Sequence, residues 1–320
     1  MLKYVSVFLV GITVGALSVY FYNHKNTTVL SDIYPIRSKS SNYTFINPLL
    51  AYNTPVSEVG RYHELEDKIT GEISKMKSDG KVDDVSVYFR NLNTGQWVGI
   101  NEDKEFNPAS LYKLPIMVAY YKEAETNPGV LTLKVEYKPS DGVPQDATPV
   151  KYTFGNLYTV DELINDMIIN SDNVAFNMLL RGVDRNGLKN VFDDLGISYP
   201  NDVAYISPKD YAMFFRVLYN STYLNREMSE RALKLLSQTS FKSGLASSLP
   251  DTVFISHKFG IRTLNEGKPG QFSELHDCGI VYKKDNHYLI CIFTKGKPDV
   301  SPAFLAEAIE DISKIIYANQ

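Results

Sequence analysis

Two stretches of β-type sequence joined by a short turn stand out in the first third of the chain. Residues 85–90 read VSVYFR and residues 97–100 read WVGI, with an Asn-Thr-Gly turn between them. Alternating apolar and polar residues around such a turn are typical of a β-hairpin. The same criteria predict three late strands, at 252–257, 275–283 and 287–294.

The middle of the chain has the apolar spacing and the capping residues that are expected of helices. Thr159 and Glu162 form a capping-box pattern before the apolar run at 163–169. Other predicted helices cover 56–76, begin near Ser110, Asp184, Ser207 and Asn225, end before Gly196, or run from Ser301 to about Ala318.

Strands near both ends of the folded region and helices between them indicate an α+β fold. We expect an antiparallel sheet formed by both chain ends, with flanking helices and a mainly helical lobe. The junction of the sheet and the lobe is the expected place for a functional site. At 320 residues the chain can hold one such domain and an appendage.

The amino terminus predicts that appendage. Residues 5–22 contain no charge and are long enough to cross about 30 Å of hydrocarbon at about 1.5 Å per residue. A small-residue cleavage site is poor there, which favours an uncleaved single-pass anchor at the cell membrane over a secretory signal. Residues 1–4 are then cytoplasmic, and the remaining chain is extracytoplasmic. Secretion after signal cleavage is the alternative.

Residues 23–55 are rich in Asn, Ser, Thr and Tyr and include three prolines, which predicts a linker before a folded domain at 56–320. Packing of residues 43–46 and 49–50 on that domain is the alternative. The formal net charge of −4, with both signs interspersed, gives no footprint for nucleic acid. The five histidines show no metal-ligand spacing, so we expect neither a metal nor a cofactor.

Three short motifs carry candidate chemistry. Ser110 precedes Lys113 by three residues, so on a helix the two side chains share one face, and an amine there can activate the hydroxyl as a nucleophile. Residues 171–173 read Ser-Asp-Asn, and the Ser171 hydroxyl can relay a proton. Residues 258–260 read Lys-Phe-Gly, and Lys258 can hold a substrate carboxylate.

The first and third motifs have rivals in the sequence. Ser74 with Lys77 and Ser78 with Lys81 share the Ser-x-x-Lys spacing, but they lie in a charged, Gly-terminated stretch typical of a solvated helix end. Lys242 begins a Lys-Ser-Gly sequence that a loop or short helix follows. Lys258 is preferred because it follows a β-rich run suited to a strand at the edge of the site.

In this order the motifs resemble the S-x-x-K, S-D-N and K-T-G set of class A β-lactamases and penicillin-binding proteins. The resemblance extends over residues 56–320 and implies a β-lactamase-like catalytic domain. It implies a β-lactam or a peptidoglycan peptide as the substrate and, as we expect, a monomer. The implied catalytic residues are Ser110, Lys113 and Ser171, and the implied substrate-binding residues are Asn173, Lys258, Gly260 and Ile261.

The resemblance also implies how these residues act. Ser110 is the nucleophile that forms an acyl-enzyme, Lys113 is its base and Ser171 shuttles the proton. Asn173 binds the substrate amide, and Asp172 braces the turn. The backbone N–H groups of Ser110 and Ile261 form the oxyanion hole.

Two departures from the family pattern bear on the activity. Phe259 stands where the family usually has a hydroxyl residue, so the substrate hydrogen bond made by that hydroxyl is not carried over from the resemblance. Between Asn173 and Ser207 the acidic residues are all aspartates, and the glutamate that activates the deacylating water in class A enzymes is missing. We therefore expect slow deacylation. The alternatives are a D-Ala-D-Ala carboxypeptidase or transpeptidase, and a β-lactam sensor that is acylated only once.

Histidine, arginine and cysteine residues give three further expectations. His257, and His276 with Asp277, also allow a Ser–His–Asp site, but no G-x-S-x-G surrounds a serine, so we expect structural histidines. Arg262 can reach a carboxylate near Lys258 or lie at a solvated strand end. Cys278 and Cys291 flank a turn, and we expect their Cα atoms within about 7 Å of each other, with the bridge left open.

Overall fold

The computed structural model describes residues 35–38, 43–52, 60–142, 151–200, 205–264 and 270–320. The predicted cytoplasmic residues 1–4 and anchor 5–22, and most of the predicted linker, lie outside these ranges. Within the described ranges no helix is both long enough and apolar enough to cross a bilayer.

The described strands and helices are numbered in chain order. They are β1 (Pro35–Arg37), β2 (Leu49–Tyr52), α1 (His63–Ser78), β3 (Val82–Asn91), β4 (Trp97–Ile100), α2 (Lys113–Ala124), β5 (Lys134–Glu136), β6 (Leu157–Thr159), α3 (Val160–Ile169), α4 (Asn173–Gly182), α5 (Arg185–Asp194), α6 (Pro208–Asn220), α7 (Arg226–Leu236), β7 (Ile255–Leu264), β8 (Phe272–Val281), β9 (Tyr288–Gly296) and α8 (Pro302–Ala318).

The central element is an antiparallel sheet of five described strands in the order β4-β3-β9-β8-β7. The early hairpin and the late strands pair through β3 and β9, as the predicted α+β fold requires. Strand β7 lies at one edge, so one side of its backbone is not covered by another described strand. This edge is where the candidate site lies.

The two faces of the sheet pack against different helices because side chains alternate along each strand. One face buries Val87, Ile290 and Ile292 against α1 and α8. The other face buries Cys278 and Ile280 in a core shared with helices α2, α3, α6 and α7, which make up the helical lobe. The sheet is therefore a wall shared by two apolar cores.

Predicted helix caps agree with the structure. Thr159 Oγ1 accepts the N–H of Glu162 at 3.2 Å, and Glu162 accepts the N–H of Thr159 at 2.8 Å, which completes the predicted capping box. The side chains of Asp184, Ser207 and Asn225 cap α5, α6 and α7. Two orphan backbone donors are satisfied at the start of α3, and comparable bonds fix the other starts.

The boundaries of β7 differ from the prediction. Residues 252–254 are not part of the strand, because the N–H of Val253 closes a turn on the carbonyl of Pro250 at 2.9 Å. The strand begins at Ile255 and continues through Gly260 to Leu264. Lys258 therefore lies inside the edge strand rather than just beyond it.

Part of the predicted linker packs on the domain. The Glu230 carboxylate on α7 accepts the backbone N–H groups of Thr44, Phe45 and Ile46 at 2.7, 2.8 and 3.0 Å. Arg37 donates to the carbonyl of Leu92 at 2.8 Å. This is the arrangement that the packing alternative describes for residues 43–46.

Cys278 and Cys291 lie directly opposite each other on β8 and β9, and their Cα atoms are 4.0 Å apart. The predicted proximity is confirmed. The structure joins the two residues in a disulfide, which the sequence left open. Both residues are fully buried, in the row of side chains next to Lys258.

Candidate active site

The Ser110 side chain lies on a tight turn at the start of α2. Residues Ala109–Tyr112 form one 3-10 turn, and Lys113 begins the α-helix directly after it. Ala109 has φ +47°, and its N–H donates to the Asn107 side chain at 3.0 Å. A non-glycine residue in this conformation costs about 1–3 kcal/mol, which the surrounding contacts must offset.

Gly260 lets the edge strand approach this turn. A Cβ atom at residue 260 would lie 2.5 Å from the carbonyl oxygen of Pro108 and 3.1 Å from the nitrogen of Leu111. Only a residue without a side chain fits such a gap. This close approach places β7 beside Ser110 and brings Lys258 and Ile261 to the same site.

Ser171 lies on the turn between α3 and α4, also with a positive φ of 55°. Asp172 accepts the N–H of Ala175 at 2.7 Å and so caps α4, as expected for a bracing residue. The cap fixes the direction in which the Ser171 and Asn173 side chains leave the turn. Both are directed to Lys113.

Ser171 Oγ links the two candidate lysines. Lys113 Nζ lies 3.2 Å from Ser171 Oγ and also donates to the Ser171 carbonyl and to Asn173 Oδ1, the latter at 2.7 Å. Lys258 Nζ donates to the same hydroxyl at 2.9 Å and to the carbonyl of Phe259 at 3.0 Å. One hydroxyl therefore connects two amines.

The electrostatics of this group favour a neutral amine. Lys258 is fully buried, and burial lowers its pKa well below 10.5; the charge of Lys113 lowers it further, while Asp277 opposes both effects. Two ammonium groups sharing one hydroxyl repel each other, so the pair readily gives up a proton. A neutral amine beside a serine is what general-base catalysis needs.

The backbone of β7 aims an amide donor at the site. The short Cα separation of Cys278 and Cys291 marks a non-hydrogen-bonded pair, so Cys278 pairs its backbone groups with Lys258 on the other side. Alternation then turns the backbone groups of Phe259 and Ile261 outward, and Phe259 does give its carbonyl to Lys258. The Ile261 N–H points to the site from the free edge.

A cavity of about 400 Å³ opens over these groups. Its lining comes from the Ser110 turn, α2, α4 and β7. The lining residues are Ala109, Ser110, Lys113, Asn173, Phe176, Ile261, Arg262 and Thr263. The structure thus brings together the seven residues that the sequence selected, from three separate parts of the chain.

The rivals in the sequence lie elsewhere. Ser74 and Ser78 are exposed on α1 and donate to the backbone of that helix. Lys242 donates to the Thr239 carbonyl at 2.8 Å in the loop before β7, whereas Lys258 lies on the strand.

Phe259 replaces the expected hydroxyl with an aromatic contact. Its ring lies 4.3 Å from Lys258 Nζ and stacks on Phe241 with ring centroids 4.1 Å apart. The lysine amine is therefore next to a π face, where the family pattern has a hydrogen-bond donor to the substrate.

The acidic residues that follow Asn173 are used elsewhere. Asp184 caps α5, Asp193 pairs with Lys189, and Asp194 accepts the hydroxyl of Tyr223 at 3.2 Å. Asp202 lies outside the described residues. Aromatic rings instead adjoin the site: Tyr112 contacts Phe176 and Phe192, and Phe192 contacts Tyr199.

The two histidines are buried, and neither ring is hydrogen-bonded to a serine hydroxyl in the described chain. His257 Nδ1 pairs with Asp277 at 2.9 Å. His276 Nε2 lies 3.1 Å from the carbonyl of Asn107, and its Nδ1 accepts the N–H of Thr294 at 3.3 Å. No pattern in the sequence indicated this link between β8 and the segment before Ser110.

Comparisons with known proteins agree with this geometry. The model of the beta-lactamase enzyme family matches residues 64–320. Beta-lactamase VEB-1 of Pseudomonas aeruginosa is 23% identical in an alignment of 258 positions that covers 73% of this chain and 84% of VEB-1.

Solved structures share the fold. PBP-A superposes with a TM-score of 0.70 at 22% identity, covering 83% of this chain and 98% of PBP-A. A point mutant of PBP-A, solved as an acyl-enzyme complex with penicillin G, also gives 0.70 at 22% identity, covering 82% and 98%. The extended-spectrum β-lactamase TLA-1 gives 0.69 at 19% identity, covering 79% and 98%.

Proposed function

Because the chain belongs to the beta-lactamase enzyme family, we propose that it is a serine hydrolase that opens β-lactam amide bonds through an acyl intermediate on Ser110. The observation that carries the proposal is the Ser171 hydroxyl, which lies between Lys258 and Lys113, and Lys113 lines the same cavity as Ser110. This arrangement can both remove a proton from the nucleophile and deliver one to the leaving nitrogen.

Acylation then proceeds by proton transfers among these side chains. A proton passes from Lys113 through the Ser171 hydroxyl to neutral Lys258, and Lys113, now neutral, takes the Ser110 proton as Oγ bonds to the substrate carbonyl carbon. The resulting oxyanion accepts hydrogen bonds from the N–H groups of Ser110 and Ile261, a contribution of about 3–4 kcal/mol per donor in such sites. The C–N bond breaks as Ser171 protonates the nitrogen, and the lysine pair returns a proton to Ser171.

Deacylation is proposed to be slow. A water molecule that attacks the acyl-enzyme needs a base, and the described aspartates after Asn173 are bound to helix ends or to other side chains. The aromatic rings of Tyr112 and Phe176 adjoin the site instead. PBP-A, whose mutant was captured as an acyl-enzyme with penicillin G, has the same fold and supports this view.

Burst kinetics test the proposal. Mixing the protein with excess nitrocefin is expected to open one equivalent rapidly and then to continue at a much lower rate. A steady rate from the start, with no burst, contradicts slow deacylation. Failure to open any nitrocefin contradicts β-lactam hydrolysis.

The same chemistry allows a second function, a D-Ala-D-Ala carboxypeptidase or transpeptidase. The missing deacylation base favours the transpeptidase of these two, because peptide exchange uses an amine acceptor that needs less activation than water. Release of D-alanine from an acyl-D-Ala-D-Ala peptide is the deciding measurement. Acylation by penicillin without D-alanine release or turnover instead favours a sensor that reacts once.

We also propose that residues 5–22 anchor the domain on the outer side of the cell membrane. A disulfide between Cys278 and Cys291 supports this location, because disulfides form and persist in oxidising compartments outside the cytoplasm. Protease added to intact cells is expected to remove the domain while leaving a membrane-bound stub. A protected domain, or a chain found only in the medium, contradicts this location.

A further inference from the structure

The proposed function fixes the direction in which a substrate lies along β7. Its carbonyl oxygen sits between the N–H groups of Ser110 and Ile261, and its leaving nitrogen faces Ser171, next to Lys258. The acyl part must then extend the opposite way along the strand. Arg262 and Thr263 line the cavity in that direction.

Arg262 is placed to meet this acyl part. It follows Gly260 by two residues, so it shares the face of β7 that carries Lys258 and Gly260 and lies about 7 Å further along the strand. Its side chain keeps 31% of its surface exposed. Lys258 and Arg262 therefore flank the reacting position, the first on the leaving-group side and the second on the acyl side.

A buried carboxylate, that of Glu274, attracts the Arg262 guanidinium without accepting a hydrogen bond from it. Glu274 lies opposite Arg262 on β8, is 8% exposed, and its Oε2 lies 3.8 Å from Arg262 Nη1, which is an ion pair beyond hydrogen-bond distance. The same Oε2 has no hydrogen-bond partner in the described chain. Lys295 lies opposite Glu274 on β9. The charge of Glu274 keeps the guanidinium near the cavity, and no hydrogen bond within the described residues occupies its N–H groups.

The charges that line the cavity have one sign. Its charged lining residues in the described chain are Lys113 and Arg262, and no carboxylate is among the lining residues. Lys113 is occupied by Ser171 and Asn173. An anionic group on the acyl side would meet Arg262.

We propose that Arg262 forms a subsite that recognises a carboxylate on the acyl side of the substrate. The inference rests on the proposed function and refines it: the preferred acyl donors carry a negative charge beyond the reacting carbonyl. A stem peptide with a side-chain or α-carboxylate, and a penicillin with a carboxylated side chain, share this chemistry.

The test compares benzylpenicillin with carbenicillin, which adds a carboxylate to the same acyl side chain. The full-length chain in detergent is acylated by each, and the ratio of the two second-order acylation rate constants is measured. We expect R262Q to lower the carbenicillin-to-benzylpenicillin ratio about tenfold, as loss of a charge-assisted hydrogen bond does. R262K, which keeps the charge, is expected to give an intermediate ratio.

R226Q is the matched control, because it makes the same charge change at an exposed residue of α7. Its ratio should equal that of the wild type. An unchanged ratio in R262Q overturns the inference, whether both rate constants stay the same or fall together, because a structural role moves both alike. Absence of any acyl-enzyme with either penicillin contradicts the proposed function itself, and this inference with it.

Discussion

His276 Nε2 lies 3.1 Å from the backbone carbonyl of Asn107, which ties the middle of the sheet to the segment that leads into the Ser110 turn. The ring is fully buried and lies against Phe106 and Phe293. Because Nδ1 accepts from Thr294, Nε2 carries the proton and donates it to Asn107. The histidine is thus a positioning residue for the nucleophile rather than a base.

We expect H276L to slow acylation by benzylpenicillin about tenfold, because the Asn107 carbonyl loses its donor. H276Q, which keeps an N–H donor, should recover part of the rate. Stopped-flow measurement of the acylation rate separates these variants. An H276L rate equal to that of the wild type contradicts a positioning role.

The pH profile adds a second readout for this residue. Burial lowers the pKa of His276 to about 3, so above that pH the ring stays neutral and its Nδ1 keeps accepting the N–H of Thr294. We therefore expect the pH profiles of the acylation rate to have the same shape near pH 6.5 in the wild type and in H276Q. An inflection near pH 6.5 that is present in the wild type and absent in H276Q would mean that His276 titrates at its ordinary pKa.

Gly260→Ala tests the close approach of β7 to the Ser110 turn. The new Cβ would lie 2.5 Å from the Pro108 carbonyl oxygen, so the strand or the turn must move. We expect a loss of about 1–3 kcal/mol in the free energy of unfolding and a larger fall in the acylation rate. Gly71→Ala is the control: it lies in the middle of α1 with open space around it and should stabilise the helix by about 0.5–1 kcal/mol. Equal stability of G260A and the wild type contradicts the account.

Lys258 gives a prediction about stability and pH. Burial, and then the charge of Lys113, lower its folded-state pKa well below 10.5, so the unfolded chain binds this proton more tightly than the folded one. The penalty is complete below the lowered pKa and disappears as pH rises toward 10.5. As pH rises through this window, the free energy of unfolding of the wild type should therefore increase relative to that of K258M, by up to about 1.4 kcal/mol per pH unit. Wild-type and K258M stabilities that stay parallel from about pH 7 to about pH 10 in denaturant titrations contradict it.

The Cys278–Cys291 disulfide is expected to stabilise the domain. The two cysteines are separated by 13 positions. Closing a loop of this size lowers the entropy of the unfolded chain and so raises the free energy of unfolding by about 3 kcal/mol. Dithiothreitol should lower the denaturant midpoint of the wild type and leave that of a C278A/C291A double variant unchanged. An equal reductant effect on both proteins would show that the bridge contributes nothing.

Much of the site followed from the sequence because its motifs are local. The turn and helix that carry Ser110 and Lys113 and the cap at Asp172 are set by residues within a few positions of one another, and the Cys278–Cys291 register is set by one turn. The start of β7 was misplaced because the turn at Pro250 takes up residues with strand propensity.

Long-range contacts could not be read in this way. The bond from His276 to Asn107 joins residues 169 positions apart, and no local pattern marks it. The requirement for glycine at residue 260 comes from the distance between β7 and the Pro108 carbonyl. The aromatic surroundings of Tyr112 also depend on how α4 and α5 pack beside α2.

The central claim is that Ser110 is the residue acylated, and mass spectrometry tests it most directly. The full-length chain is mixed with benzylpenicillin and its intact mass is measured, followed by peptide mapping. We expect one long-lived penicilloyl group per chain on Ser110, its absence in S110A, and its presence in the controls S74A and S78A, whose hydroxyls bond to the backbone of α1. An adduct that persists in S110A, or that maps to another serine, contradicts the account.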